Sequence, residues 1–399
     1  ATKRSVMTDK HILYGMLASL YTGKVRAYLR HQGISFVERG AGHPQFRDEV
    51  MPVIGRFIMP VVQTPQGEII QDGSVILDHF EASGLGKRSI QPQNRTLRAI
   101  SLLFELFGGE GLLRPAMHYR WNFDVDNLDF LRSSFKDVFP PGLNEEEAEQ
   151  AFLHGSGRMR QAAVSFGVIP ETFELIESSY RDFLLRFNRH LGESSFLLGG
   201  HATIGDFGLF NALYAHLARD PHPALLMKKI APRVYAWVER MNGPEEFQDH
   251  TVNRQSSELF SHDDVPESLL DMMRYVRDEY LPEITAHLEF TNSWLLARPE
   301  IEPGTPCAVP LGVNEKSRRF IGRAGFNYRG VDIETTVMPY RFFLLQRLQD
   351  CFIEATADDQ AAIRKLFHQT GLEPLLDMRT HRRVERENHL EVWGGANEN

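Results

Sequence analysis

The feature that most constrains the fold is a change in hydrophobic period near residue 96. Before it, apolar residues come in short runs. His11-Ile12-Leu13-Tyr14 is a strand closed by Gly15, and Lys24 to His31 reads as a helix stopped by Gly33. Ile34 to Glu38 alternates as a half-buried strand does. Val61-Val62-Gln63 and Glu68-Ile69-Ile70 flank Thr64-Pro65-Gln66-Gly67, where Pro presets φ and Gly permits the exit of a turn. A helix start follows from Ser74. After residue 96 the spacing becomes three and four: Leu97, Ile100, Phe104 and Phe107, then Phe173, Ile176, Tyr180, Phe183 and Phe187, then Ile230, Val234, Trp237 and Met241. Such stripes are core. The order β-α-β, hairpin, α, then helices only, predicts an α+β chain with an all-α second part.

That pattern accounts for about two thirds of the chain. Asn242-Gly243-Pro244 stops the last helix, and a new apolar face begins near Val265 with Leu269, Met273, Val276 and Tyr280. Pro299 to Pro310 reads as a proline-rich loop. Phe320 to Val337 is strand-like but broken by Gly322, Gly325 and Gly330, which suggests a β-hairpin. Helices are expected over Pro339 to Ala355 and Asp358 to Thr370, then a charged segment after Pro374. The expected division is 1–88, 92–250 and 251–399, the last being a mostly helical extension.

Composition narrows the function. With 44 Lys+Arg against 53 Asp+Glu the net charge is −9, so no global field draws the chain to nucleic acid or an anionic membrane. No apolar run approaches the ~18 residues of a membrane span, and Ala1 to Lys10 has no signal-peptide core, so a cytoplasmic location is expected. Two cysteines, Cys307 and Cys351, make neither a disulfide framework nor a four-thiolate zinc site. The histidines lack ligand spacing, and no metal is expected. Gly84-Leu85-Gly86-Lys87 lacks the spacing of a phosphate loop and reads as a linker. Asp124, Asp126 and Asp129 read as a solvated acidic loop, and Leu128 to Gly157 as an inserted connection. Gly155-Ser156-Gly157 is no nucleophile elbow. Arg379, His381, Arg382, Arg383 and Arg386 read as the solvated face of a helix.

Three features point to chemistry, each with a plainer alternative. Ser19 stands before the first helix, whose free amides and dipole favour an anion, and its hydroxyl could steady a thiolate; it could equally be only a cap. Met59-Pro60 precedes a strand, where a cis bond would present the Met59 backbone to a peptide-like ligand; a trans proline is the commoner case. Asp72-Gly73-Ser74 opens a helix, suiting a carboxylate at the amides and an ammonium on Asp72; the plain alternative is an N-cap.

Phe196-Leu197-Leu198-Gly199-Gly200-His201-Ala202-Thr203-Ile204-Gly205-Asp206-Phe207 adds a folding element, with Thr203 as N-cap and Asp206 returning a bond from the third helical position. In this order, these motifs resemble the cytosolic glutathione transferases, over roughly residues 10 to 250. The resemblance implies a thioredoxin-like N-terminal domain and an all-helical C-terminal domain. It makes Ser19, before Lys24-Val25-Arg26, the catalytic serine, with Tyr14 and Tyr21 as rival hydroxyls. Met59 and Pro60 would pair with the cysteinyl part of glutathione, and Asp72, Gly73 and Ser74 would cover its γ-glutamyl part. Two departures stand out: Leu20 where many serine-type members have proline, and Gly73 inside the acidic-serine pair.

The implied reaction joins the thiolate of glutathione, a co-substrate, to a hydrophobic electrophile. Its pocket would lie beside Leu20 and Tyr21, facing Phe104 and Met117 to Trp121. A homodimer is implied. The lack of cysteine at position 19 argues against the thiol-reductase branch. The alternatives are a non-catalytic binding or scaffold protein and a glutathione-dependent peroxidase or reductase. The extension is expected to pack on the helical domain, covering part of a dimer surface or roofing the acceptor pocket.

Overall fold

A computed structural model of the chain describes residues 9–244, 258–308 and 319–397. The N-terminal segment to residue 8, the expected boundary at 250 and the proline-rich loop from 309 onward lie outside the described residues. The expected sheet forms. β1 (His11–Gly15) runs parallel to β2 (Phe36–Gly40), joined by α1 (Leu20–His31). A π turn (Phe46–Val50) and the short α2 (Met51–Ile54) lead to β3 (Val61–Gln63), antiparallel to β1. β4 (Ile69–Gln71) pairs with β3 and feeds α3 (Gly73–Ser83), giving the sheet order β2-β1-β3-β4. This is a thioredoxin-like domain.

A helical array follows, as the period change predicts: α4 (Arg95–Leu106), a π turn (Phe107–Gly111), α5 (Leu113–Trp121), α6 (Asp124–Ser134), α7 (Glu145–Ser165), α8 (Phe173–His190), α9 (Ile204–Ala215), α10 (Pro221–Ile230) and α11 (Pro232–Met241). Two expectations fail here. The acidic triplet Asp124, Asp126 and Asp129 is no loop but lies on α6, two of its members in the first turn where the dipole favours negative charge. The supposed connection to Gly157 is mostly helix: Asn144 and Glu147 form a capping box at 2.9 Å in both directions and start α7.

The start of α9 is held as the sequence predicts, with one addition. The Asp206 carboxylate accepts from the Thr203 amide at 2.9 Å, the Leu197 amide at 2.9 Å and the Trp237 indole at 3.0 Å. The Gly205 amide is capped from outside, by the Ser101 hydroxyl of α4 at 2.8 Å. α4 and α9 approach so closely that a Cβ on Gly208 would meet the Glu105 Cα at 2.4 Å. Only glycine fits there.

The extension comprises α12 (Glu267–Leu296), the hairpin β5 (Gly322–Tyr328) and β6 (Val331–Val337), α13 (Tyr340–Ile353), α14 (Ala357–Thr370), α15 (Pro374–Asp377), and a second hairpin, β7 (Arg382–Glu387) with β8 (Leu390–Ala396). Arg382, Arg383 and Arg386 of the basic run therefore lie on a strand and not a helix face, with Arg379 and His381 just before it. Val384 alternates with charged neighbours and pairs with Trp393, and Asn388 and His389 turn the chain with φ of 49° and 64°. The extension shares the main core: Phe342, Leu345 and Leu348 of α13 are buried in one cluster with Leu13, Phe104 and Trp237. Each such side chain contributes about 2 kcal/mol on burial, so the segment is part of the folded body.

Candidate functional site

The register of the sheet assembles the site. Tyr14, Val61 and Gln71 form one cross-strand rung. Because β3 runs against both neighbours, the end of β1, the start of β3 and the end of β4 leave the sheet at the same edge. The loop to Ser19, the Met59-Pro60 bond and the Asp72-Gly73-Ser74 corner all lie just beyond that rung.

Two buried arginines hold the first loop. Arg26 donates to the Met16 carbonyl at 3.1 Å, and Arg120, paired with Asp220 at 2.7 Å, donates to the Ala18 carbonyl at 2.8 Å. Ser19 is thereby fixed as the N-cap of α1, its half-buried oxygen accepting from the Thr22 amide at 3.3 Å. Among the described residues its hydroxyl proton has no acceptor. Both tyrosines are already engaged. Tyr14 donates to Gln63 at 3.1 Å and Tyr21 to Glu110 at 3.2 Å. Burial raises both phenols, and it carries Tyr21 well above its ordinary range with the Glu110 charge adding to it. Each phenol stays protonated, its hydrogen bond already given to Gln63 or Glu110.

The Met59-Pro60 bond is cis, with Met59 packed among the apolar clusters beneath the edge. At the third corner Asp72 takes φ of 91° and its carboxylate accepts from the Ser74 and Val75 amides at 3.0 and 3.1 Å. The helix amides that could take a ligand carboxylate are thus occupied by the chain's own aspartate. Ser74 points inward: its hydroxyl donates to Glu105 at 2.7 Å and accepts from Lys24 at 3.0 Å. Lys24 and Arg347 both pair with Glu105, at 2.7 and 3.0 Å. Burial alone would raise this carboxyl, but the two cations outweigh it and hold it down to about 2. The structure brings Ser19, Met59, Pro60 and Asp72 to one edge, while the Ser74 side chain belongs to the core below it.

The expected apolar wall does not open. Phe104, Met117, Tyr119 and Trp121 are buried, Met117 and Trp121 packing with Met16 and Ala18 under the serine loop. Met117, Tyr119 and Trp121 are core because α5 is buried along its whole length, and Phe104 is buried on α4.

The extension supplies groups that the sequence reading missed. The Tyr340 hydroxyl faces Asp72 and Ser74, and burial followed by the Asp72 charge pushes it well above its ordinary range. Arg386 of β7 donates to Gln71, and Arg56 donates to the His389 carbonyl at 2.8 Å. Glu391 of β8 lies 3.1 Å from Arg386 and 3.8 Å from Arg56. Burial lowers Arg56 to about 10 despite Glu391. The available signal was the alternation Leu390-Glu391-Val392-Trp393 beyond a polar turn. Among the described residues no group of three His, Cys, Asp or Glu could hold a metal ion.

Residues 13–85 match the family model described as glutathione S-transferase, N-terminal domain, and residues 170–240 the one described as glutathione S-transferase, C-terminal domain. No curated protein matches the chain. Similar solved structures include the beta-etherase LigF from Sphingobium sp. strain SYK-6, 17% identical over 58% of this chain and 95% of its own, with a TM-score of 0.41. Glutathione transferase GSTFuA3 from Phanerochaete chrysosporium is 16% identical over 60% and 98%, with a TM-score of 0.41. A glutathione S-transferase from Xanthobacter autotrophicus is 24% identical over 58% and 92%, with a TM-score of 0.32.

Proposed function

We propose that the chain, whose residues 13–85 and 170–240 match the glutathione S-transferase N- and C-terminal domain models, joins the thiolate of glutathione to an electrophilic small molecule. The observation that carries this reading is the common edge beyond the Tyr14–Val61–Gln71 rung, where Ser19 offers an uncommitted hydroxyl at the start of α1. A thiol sulfur placed there meets a hydroxyl donor and the positive end of a helix dipole, both of which favour the thiolate over the thiol. The thiol proton passes to solvent, and the thiolate sulfur bonds to the electrophilic carbon as a leaving group departs with its electron pair, or as the pair of an activated double bond shifts and takes up a proton from solvent. Met59 and Pro60 would align the cysteinyl backbone, and the Asp72 carboxylate would receive the γ-amino group.

The test replaces Ser19 with Ala and follows both turnover and the thiolate absorbance of bound glutathione against pH. Turnover should fall and the bound thiol's titration should move up. Unchanged values of both would sink the role of Ser19. The homodimer and the cytoplasmic location implied by the family are proposals of the same standing, open to light scattering and to cell fractionation.

A second reading, a scaffold that keeps the fold without the chemistry, draws on one observation. Asp72 itself fills the α3 amides, and the extension rests on the same corner. Retention on glutathione resin without thiolate formation would favour it.

A further inference from the structure

Charge is out of balance where the second hairpin meets the sheet domain. Arg56 comes from the loop after α2, Arg386 and Glu391 from β7 and β8, and both guanidiniums reach the one carboxylate of Glu391. Their side chains are only 10% and 8% exposed. The Arg56 Nε is buried and has no hydrogen-bond partner. A third guanidinium, Arg319, also faces Glu391, with Tyr21, Glu110 and Tyr340 as its other charged or phenolic neighbours. Arg319 is exposed, and among the described residues no hydrogen bond or ion pair holds it. Three cations gather at Glu391, with Glu110 beside Arg319 and Asp72 beside Arg56 as the other carboxylates, and the Arg56 Nε and the Arg319 guanidinium keep unspent N–H donors for a further anion.

The place of this cluster indicates which anion. Arg386 is bonded to Gln71, the last residue of β4, next to the corner where Asp72 occupies the helix amides. A ligand carboxylate arriving at that corner finds no free amides at Ser74 or Val75, and the arginines are the nearby donors. We propose that the C-terminal extension completes the thiol-substrate site in cis, with Arg56, Arg319 and Arg386, gathered by Glu391, binding a carboxylate of glutathione. This rests on the transferase reading above. It makes the extension a source of substrate recognition, which explains why the hairpin docks on the glutathione edge instead of elsewhere on the sheet.

The test is a binding cycle by calorimetry on the full chain. Three ligands are compared: glutathione, its glycyl monoethyl ester, and γ-aminobutyryl-cysteinylglycine, which lacks the γ-glutamyl α-carboxylate. Each is titrated into the wild type, Arg386→Gln and Arg319→Gln. One analogue should bind the wild type at least about tenfold more weakly than glutathione, and that ratio should collapse toward one in the variants. The analogue that shows the effect identifies the carboxylate. Thermal unfolding checks that the variants fold, and Arg319→Gln, an exposed site, carries the test if Arg386→Gln does not fold. An analogue ratio that is unchanged in a folded variant overturns the proposal while leaving the transferase reading intact. A wild type that binds no glutathione overturns both.

Discussion

Two helices begin at the same edge of the sheet and end their charge differently. α1 is capped by Ser19, a neutral hydroxyl accepting one amide at 3.3 Å. α3 is capped by Asp72, a carboxylate accepting two amides at 3.0 and 3.1 Å, with the backbone held at φ of 91°. The first helix end keeps its positive character, which is what the proposed thiolate site draws on. The second is neutralised from within the chain, which is why the proposed carboxylate site turns to side chains from elsewhere. One sheet edge thus carries a helix start capped by a neutral hydroxyl beside one closed by a carboxylate.

The largest expected effect comes from breaking what anchors α3 below its cap. Glu105→Gln leaves Lys24 and Arg347 with a weakened partner in the core and should cost about 3–5 kcal/mol, read from denaturant unfolding. Ser19→Ala should follow, with turnover falling about 100- to 1,000-fold if its hydroxyl steadies the thiolate, and with only about 1 kcal/mol of stability lost as a cap. Asp72→Ala should cost about 1–2 kcal/mol for the cap, while Asp72→Gly should cost less because glycine accepts the positive φ. If alanine and glycine prove equal, the backbone conformation is not contributing.

A pH series sharpens the same contrast. The folded Glu105 carboxyl lies near 2, below its ordinary 4.5, so it binds its proton less readily folded than unfolded. Its contribution is therefore complete above about 4.5 and lost as pH falls toward 2. Stability of the wild type should decline through that window, and a flat profile there would contradict the pairing. The smallest effect belongs to Gly73→Ser. A Cβ at Gly73 would come no closer than 3.6 Å to Lys24, so the variant should fold. Its hydroxyl, at the first position of α3, should raise glutathione affinity by up to about tenfold in calorimetry.

Much of this was legible in the residues. The strands, their order and the turn at Thr64 to Gly67 follow from local alternation and turn chemistry, and the Thr203–Asp206 element from capping rules. Ser19, Met59-Pro60 and Asp72 were singled out as candidates by their places beside strands and helices, and the structure brings them to one edge. Ser74 was read correctly as a helix-start residue, but its direction was not readable, because Glu105 and Lys24 are distant in sequence. The second hairpin was misread because Arg382 to Arg386 carries one apolar residue among charges, too weak a period to separate strand from helix. The acidic start of α7 was misread in the same way, its Asn144–Glu147 box passing for loop composition.

The sequence by itself determined the thioredoxin-like sheet, the helical array after it and the residues at the loop ends, since these depend on periods and caps that span a few positions. Only the tertiary structure decided that Ser74 turns to the core, that Tyr340 and Arg386 reach the Asp72 corner, and that the extension shares the main core. The Tyr340 and Arg386 contacts join residues more than 250 positions apart, and Ser74 meets Glu105 31 positions along the chain. No local pattern encodes them; they exist because burying the apolar faces of α4 and α13 together brings their charged neighbours within reach of the sheet edge.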